Sequence, residues 1–331
     1  MSTHIFYEDD ADLSLINDKV IAIIGYGSQG AAHAQNLRDS GCKVIVGQRN
    51  GGPGHAAAVA DGFEPVDIRS AAQNAGIINI LLPDEIHGPI FNDQILPSLN
   101  PGNVIMTCHG FSFHYGYVEP PVGIHRLLVA PKGQGHMVRG EYLRGGGVPC
   151  LIATDDDASD EVLNLGLAYA AALGGTKAGV IRTTIAAETE TDLFGEQAVL
   201  CGGLTSLVQA GFDTLVEAGY QPELAYFECL HELKIIVDLM HARGMDEMRR
   251  SISNTAEFGD YTRGSRIIDQ HVRDNMKALL QEIQSGKFAK EFVQQHRDGG
   301  KRLQDLRNKH SQRPIEAIGA KLRSMMPWIN S

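Results

Sequence analysis

Basic residues are in short supply: 29 Lys and Arg against 40 Asp and Glu leave a formal net charge of −11. A general nucleic-acid or anionic-membrane surface needs clustered cations, so both are disfavoured as partners. The five cysteines, Cys42, Cys108, Cys150, Cys201 and Cys229, are scattered. None makes the C-x-x-C spacing of a zinc site, and the odd count fits a reducing, cytoplasmic setting rather than a disulfide framework. No segment reaches eighteen consecutive apolar residues, and the start, Met1-Ser-Thr-His-Ile-Phe, lacks a basic region followed by an apolar one. A soluble, untargeted protein without a membrane span is therefore expected. Proline thins out as well: beyond Thr184 only Pro222, Pro314 and Pro327 remain.

What is present divides at about that point. Short apolar runs at Val20–Ile24, Lys43–Val46, Ile77–Leu82, Val104–Thr107, Leu127–Ala130 and Pro149–Ala153 alternate with helical patterns. That rhythm predicts an α/β domain on a parallel sheet over residues 1–184. Long helical periodicities with few breakers predict an all-helical domain over residues 185–331. The 331 residues are enough for two cores. No internal repeat or low-complexity segment interrupts them, and the stretch from Arg139 to Gly147 reads as a mobile loop.

The first predicted strand runs into Gly25-Tyr26-Gly27-Ser28-Gln29-Gly30, and a helical pattern continues to Ser40 before Gly41. This is G-x-G-x-x-G in its strand-to-helix setting. Gly25 makes the turn, Gly27 lets a pyrophosphate approach the backbone, and Gly30 permits tight packing of a helix whose N-terminus faces the phosphates. At the end of the next strand, Val46-Gly-Gln48-Arg49-Asn50-Gly-Gly52-Pro53-Gly54 offers no acid for ribose hydroxyls. Arg49 could face a 2′-phosphate, which by the general rule leans towards NADP.

Two carboxylate pairs at helical spacing, Asp192/Glu196 and Glu228/Glu232, lie in the second half. Residues four apart on one helix face put their Cβ atoms about 5–6 Å from each other, where like charges repel. A divalent cation relieves the repulsion, and Mg²⁺ takes hard oxygen ligands at about 2.0–2.1 Å while keeping waters a substrate can displace. Four carboxylates suit two such ions. Each pair alone could instead be a surface acid pair, and Lys234 or Arg243 could neutralise the second. Apolar neighbours, Val199 to Leu204 beside the first pair and Ile235 to Met240 beside the second, read as core and favour the metal.

These segments, together with Leu81-Leu82-Pro83-Asp-Glu85, His109-Gly-Phe111, Ala130-Pro-Lys132-Gly, Glu188 to Gly203, Ala225 to Met240 and Ser251 to Glu257, resemble ketol-acid reductoisomerases of the short, class I type over nearly the whole chain. The resemblance implies an N-terminal Rossmann domain and a C-terminal all-α knotted domain. It implies conversion of 2-acetolactate to 2,3-dihydroxy-isovalerate, and of 2-aceto-2-hydroxybutyrate to 2,3-dihydroxy-3-methylvalerate, in valine, leucine and isoleucine synthesis. Alkyl migration needs a deprotonated hydroxyl and a polarised ketone, both within reach of divalent metal, and reduction by NAD(P)H follows.

By the same resemblance Asp192, Glu196, Glu228 and Glu232 hold two Mg²⁺ per site. Asp192 bridges them, and the second pair comes from the partner in a homodimer with shared active sites. His109 and Lys132 are the implied catalytic residues, and Ser253 with Glu232 the implied substrate contacts. Gly25 to Gly30, Arg49, Gly52, Gly54, Leu82, Pro83, His109 and Gly135 are the implied cofactor contacts. Taken alone, Lys132 reads as a solvated loop lysine, His109 as a structural histidine and Ser253 as a helix cap.

Departures from the family pattern matter at one place. NADPH-using members carry two serines in the loop after the second strand, where this chain has Gly52 and Gly54. If each lost contact is worth about 1.5 kcal/mol, preference shifts by roughly a hundredfold, so NADH is expected to be preferred over NADPH. Gln134, in place of the family's usual proline, and Arg250, in place of an aromatic, touch no implied ligand. Two other classes fit the glycine loop: a metal-independent β-hydroxyacid dehydrogenase, which would keep its activity in EDTA, and a non-catalytic dinucleotide-binding protein, which would bind without turnover.

Overall fold

The computed structural model describes residues 4–329. Its contacts divide the chain into two units, Met1–Thr191 and Asp192–Ser331, the division falling inside the helix Ile185–Phe194.

In the first unit eight strands form one sheet: β1 (Ile5–Phe6), β2 (Val20–Ile24), β3 (Lys43–Gly47), β4 (Ile77–Ile80), β5 (Val104–Thr107), β6 (His125–Pro131), β7 (Cys150–Thr154) and β8 (Val180–Arg182). Their order is β1-β8-β7-β6-β5-β4-β2-β3. Near-continuous apolar strands signal burial on both faces. Ile21 and Ile23 of β2 face a core shared with Ala34 and Leu37 of the helix Ser28–Asp39 and with the helix Asp160–Ala172. Ala22 and Ile24 point the other way, onto Ile68, Ala71, Ala72, Phe91 and Ile95. The two-residue period of a strand thus divides its side chains between two helical layers.

The expected parallel-sheet core is present, and antiparallel pairing is confined to one end. β2 to β6 pair in parallel, but β6 pairs antiparallel with β7, and β1 antiparallel with β8. β7 begins beside the end of β6, with Cys150 opposite Pro131 and the Lys132 amide bonded to the Pro149 carbonyl at 2.8 Å. The intervening helix, Gly135–Leu143, packs on the helix Ser28–Asp39 and does not carry the chain back to the other edge of the strands. That helix also corrects the mobile loop expected from Arg139. Arg139 lies within it, with its guanidinium 2.6 Å from Asp39 and 2.9 Å from Asn36 Oδ1.

β2 lies between β3 and β4, so the strand order reverses there, and in open α/β sheets ligands bind outside the C-terminal strand ends at such a point. The loops after β2 and β4 meet at this place: a Cβ on Gly25 would stand 2.7 Å from the Leu81 carbonyl oxygen, and Gly25 has φ 102°. Both the close approach and the positive φ require glycine.

The second unit is helical, with Gly202–Glu217, Leu233–Arg250, Asn254–Ile267, Gln270–Gln284, Lys287–Arg297, Lys301–Ser311 and Pro314–Ser324 as its longer helices. Val208, Phe212, Ala225, Tyr226, Ile315, Leu322 and Met326 form its core.

Candidate functional site

The glycine loop leaves β2 and opens the helix Ser28–Asp39, with Gly27 as its N-cap. The first-turn amides of a helix have no acceptor in a preceding turn, which makes the end a natural anion site. Among the described residues, none beyond its chain neighbours lies within 4 Å of where a Gly27 Cβ would be, so the backbone is open to a ligand. Gly30 is the opposite case: its Cβ would fall 2.1 Å from the Gly25 carbonyl oxygen. Gly30→Ala must therefore push the loop off the helix. We expect it to destabilise the protein by about 1–3 kcal/mol, as overpacking does, and to weaken dinucleotide binding in a fluorescence titration.

The same loop is tied to the segment after β6. Gln29 Nε2 donates to the Gly133 carbonyl at 2.9 Å, and Gly135 packs against the Ser28 carbonyl so closely that a Cβ would be 2.0 Å from it. Beyond β3 a cleft of about 540 Å³ is lined by Gln48, Arg49, Asn50, His55, Asp67 and Ile68, among others. Gln48 Oε1 accepts from the Tyr26 amide at 3.2 Å. Its amide nitrogen would lie 2.7 Å from a Cβ at Gly54, whereas a Cβ at Gly52, the N-cap of the helix Pro53–Ala60, would have 3.7 Å to its nearest neighbour. Gln48 thus fills the space a serine hydroxyl at position 54 would need.

At the C-terminal ends of β5 and β6 the structure brings together His109, Gly110 and Lys132 around one carboxylate, Glu188. Glu188 is 1% exposed. Its Oε1 accepts from Lys132 Nζ at 2.9 Å, its Oε2 from the Gly110 amide at 2.9 Å, and His109 Nδ1 stands 3.3 Å from Oε2. A Cβ on Gly110 would lie 2.1 Å from Thr189 Oγ1, so only glycine lets this loop lie against the helix Ile185–Phe194. Burial alone would raise the Glu188 pKa, but the hydrogen bonds and charges of His109 and Lys132 together outweigh it and hold the carboxyl below its ordinary value. Glu188 was absent from the expected site. The available signal is the four-residue spacing of Glu188, Asp192 and Glu196.

Asp192, half-buried, follows Glu188 by one turn in the same helix, and Glu196 is exposed. Here the local geometry departs from a plain α-helix. Glu196 lies in a π-helical segment, Gly195–Leu200, with the Cys201 amide bonded to the Glu196 carbonyl at 2.9 Å. Glu228 lies in a second one, Phe227–His231, closed by Glu232 N to Phe227 O at 3.0 Å. Bonding i→i+5 widens the turn relative to an α-helix. Wide turns of this kind recur at functional sites.

The expectation that the flanking apolar residues are core is overturned within the chain. Val199 is 52% exposed, Leu200 65% and Ile235 57%. Lys234 does not serve as the counter-ion of Glu228 and Glu232; its ammonium lies 2.5 Å from Asp238. Ser253 caps the helix Asn254–Ile267, its Oγ accepting from the Ala256 amide at 3.2 Å, which leaves the hydroxyl proton available to a substrate. Arg250 pairs with Asp246 at 3.0 Å, and Gln134 is the N-cap of the helix Gly135–Leu143.

Comparison with known proteins gives the following. Residues 15–179 match the family model described as "Acetohydroxy acid isomeroreductase, NADPH-binding domain", and residues 185–328 match "Ketol-acid reductoisomerase, C-terminal domain". An NADH-preferring ketol-acid reductoisomerase from an uncultured archean is 42% identical, with 98% of this chain and 99% of that one aligned at a TM-score of 0.94. A semialdehyde dehydrogenase NAD-binding protein from Cupriavidus necator, solved with calcium and NAD, is 20% identical over 81% of this chain and 99% of its own, with a TM-score of 0.61. A pyrroline carboxylate reductase from Plasmodium falciparum is 14% identical over 82% and 98%, with a TM-score of 0.50. The last two share the fold alone.

Proposed function

The chain belongs to the ketol-acid reductoisomerase family and has that family's NAD(P)H-dependent activity in branched-chain amino-acid biosynthesis; from that premise we propose how its own residues divide the work. The observation that carries the proposal is the buried Glu188 carboxylate holding Lys132 and the His109–Gly110 loop, one helical turn before Asp192. The substrates are 2-acetolactate and 2-aceto-2-hydroxybutyrate. The carboxylates of Asp192, Glu196, Glu228 and Glu232 are hard oxygen donors of the kind Mg²⁺ takes, and Lys234, the nearest cation in sequence to the second pair, is engaged by Asp238. They would hold two Mg²⁺, which supply Lewis acidity for the alkyl shift and for the reduction.

Lys132 and His109 donate to and orient the substrate oxygens that change charge in the two steps, and Glu188 fixes both donors. Ser253 Oγ–H meets the substrate carboxylate together with Glu232. The second pair comes from a partner subunit, which would make the homodimer obligatory. Support lies in the stretch Ile185–Glu217, whose most apolar window is only 11% buried within the chain although it carries proposed ligands. An apolar face of that kind calls for a cover.

The cofactor is NADH in preference to NADPH. Gly52 and Gly54 supply no hydroxyl to a 2′-phosphate, and the 42%-identical archean enzyme is NADH-preferring. The test is oxidation of both cofactors with 2-acetolactate, with and without Mg²⁺. A higher kcat/KM for NADH and no turnover in EDTA are expected. A strong NADPH preference defeats the cofactor assignment, and full activity in EDTA defeats the metal. Gly52→Ser is further expected to raise kcat/KM for NADPH about tenfold, the worth of one charge-assisted hydrogen bond. Gly54→Ser should gain less, because Gln48 must move first.

A further inference from the structure

His87 belongs to no expected site, yet it is 2% exposed and both of its ring nitrogens are engaged. Nε2 lies 2.8 Å from the Leu82 carbonyl oxygen and Nδ1 lies 3.0 Å from Ser112 Oγ. A carbonyl can only accept, so Nε2 carries the proton. In a neutral imidazole Nδ1 is then bare and accepts from the Ser112 hydroxyl. Burial favours that neutral form, lowering the His87 pKa from its ordinary value although Asp84 opposes it. One tautomer is therefore specified.

The two partners belong to different loops. Leu82 follows β4, directly after the Leu81 carbonyl on which Gly25 packs. Ser112, 0% exposed, stands two residues after Gly110, whose amide donates to Glu188. Its own carbonyl accepts the Tyr117 and Val118 amides at 2.8 and 2.9 Å, which anchors the turn. A continuous chain of bonds thus runs from the backbone at the end of β4, through imidazole and hydroxyl, to the loop that carries His109.

We propose that His87 is a positioning residue for hydride transfer: through Ser112 it fixes the Leu82–Pro83 segment, an expected cofactor contact, relative to the His109–Gly110 loop. This stands on the proposed reading that Leu82 and Pro83 meet the cofactor. Hydride transfer is sensitive to such placement, since a displacement of about 1 Å can cost roughly a hundredfold in rate. A glutamine amide offers one donor and one acceptor and can replace the imidazole in both bonds. Leucine replaces neither.

The test compares His87→Gln, His87→Leu, Ser112→Ala and Leu82→Ala, by steady-state kinetics with NADH and with NADH deuterated at C4. His87→Leu should lower kcat by about ten- to hundredfold and raise the deuterium isotope effect. Ser112→Ala should shift both in the same direction by less, and His87→Gln should stay near wild type. The Mg²⁺ concentration for half-activation should be unchanged throughout. If His87→Leu does not fold, Ser112→Ala decides by its isotope effect. A wild-type isotope effect in Ser112→Ala and every folded His87 variant overturns the proposal, as does His87→Gln failing as badly as His87→Leu. Leu82→Ala separates the premise: an unchanged KM for NADH removes the cofactor reading and the proposal with it. A raised KM beside silent His87 and Ser112 variants removes the proposal alone.

Discussion

Asp192→Asn is expected to lose turnover of 2-acetolactate by about a thousandfold or more while keeping its fold and its NADH affinity. The outer partners of metal ligands alone are worth about 10–100-fold in metal affinity or activity, and Asp192 would itself be a ligand. The substitution keeps shape and volume, so little else changes. The glycine loop and the cleft beyond β3 lie in the unit Met1–Thr191, and NADH titration by nicotinamide fluorescence should report an unaltered dissociation constant. Isomerisation and reduction should fall together, because the proposed ions would serve both. Turnover close to wild type would defeat the assignment. A variant that loses NADH binding as well would show that the residue acts on the fold.

The sequence was most informative where geometry is local. The apolar run Val20–Ile24 and the glycine loop behind it depend on neighbours within a few residues, and the structure forms the strand and the following helix as expected. Three features were not legible. The short strands β1 and β8 exist through their pairing with each other and, for β8, with β7, since strands of two and three residues carry no period of their own. The π-turns around Glu196 and Glu228 shift the helical phase by one residue without altering composition. Glu188 is one acid among several in its run, and nothing local distinguishes it from Glu190, which pairs with His114 at 3.3 Å. Its role comes from Gly110 and Lys132, more than fifty residues upstream.

The reading of apolar neighbours as core illustrates a second limit. Periodicity reports that a face is apolar, not what covers it. Leu200, Leu207, Leu224, Ile235 and Val237 are all more than 40% exposed in the single chain. A sequence pattern cannot distinguish cover supplied by the same chain from cover supplied by a partner, since the area removed from water is the same in either case. The proposed dimer accounts for the exposure. Size-exclusion chromatography with light scattering should find no active monomer.

Glu188→Gln should be nearly as damaging as loss of a ligand, although Glu188 is assigned no contact with metal. The charge that holds Lys132 disappears, and an amide cannot accept at both oxygens. Two proposed catalytic groups are released at once. Misplacing one group by about 1 Å can cost roughly a hundredfold, and groups acting as a unit combine non-additively, which suggests a loss of about a thousandfold in kcat. Stability should fall by about 1–3 kcal/mol from donors left poorly paired. The sign of the pH dependence identifies the cause. The Glu188 pKa is lower in the folded protein than its ordinary 4.5, so its ionised form stabilises the fold above that value, and the contribution is lost as pH falls through the folded pKa. The wild-type advantage in thermal unfolding should therefore be full at neutral pH and shrink below about 4.5, towards the Gln variant. An advantage that persists unchanged into acid would assign the loss to shape rather than to charge, and the carboxylate would no longer be what orders His109 and Lys132.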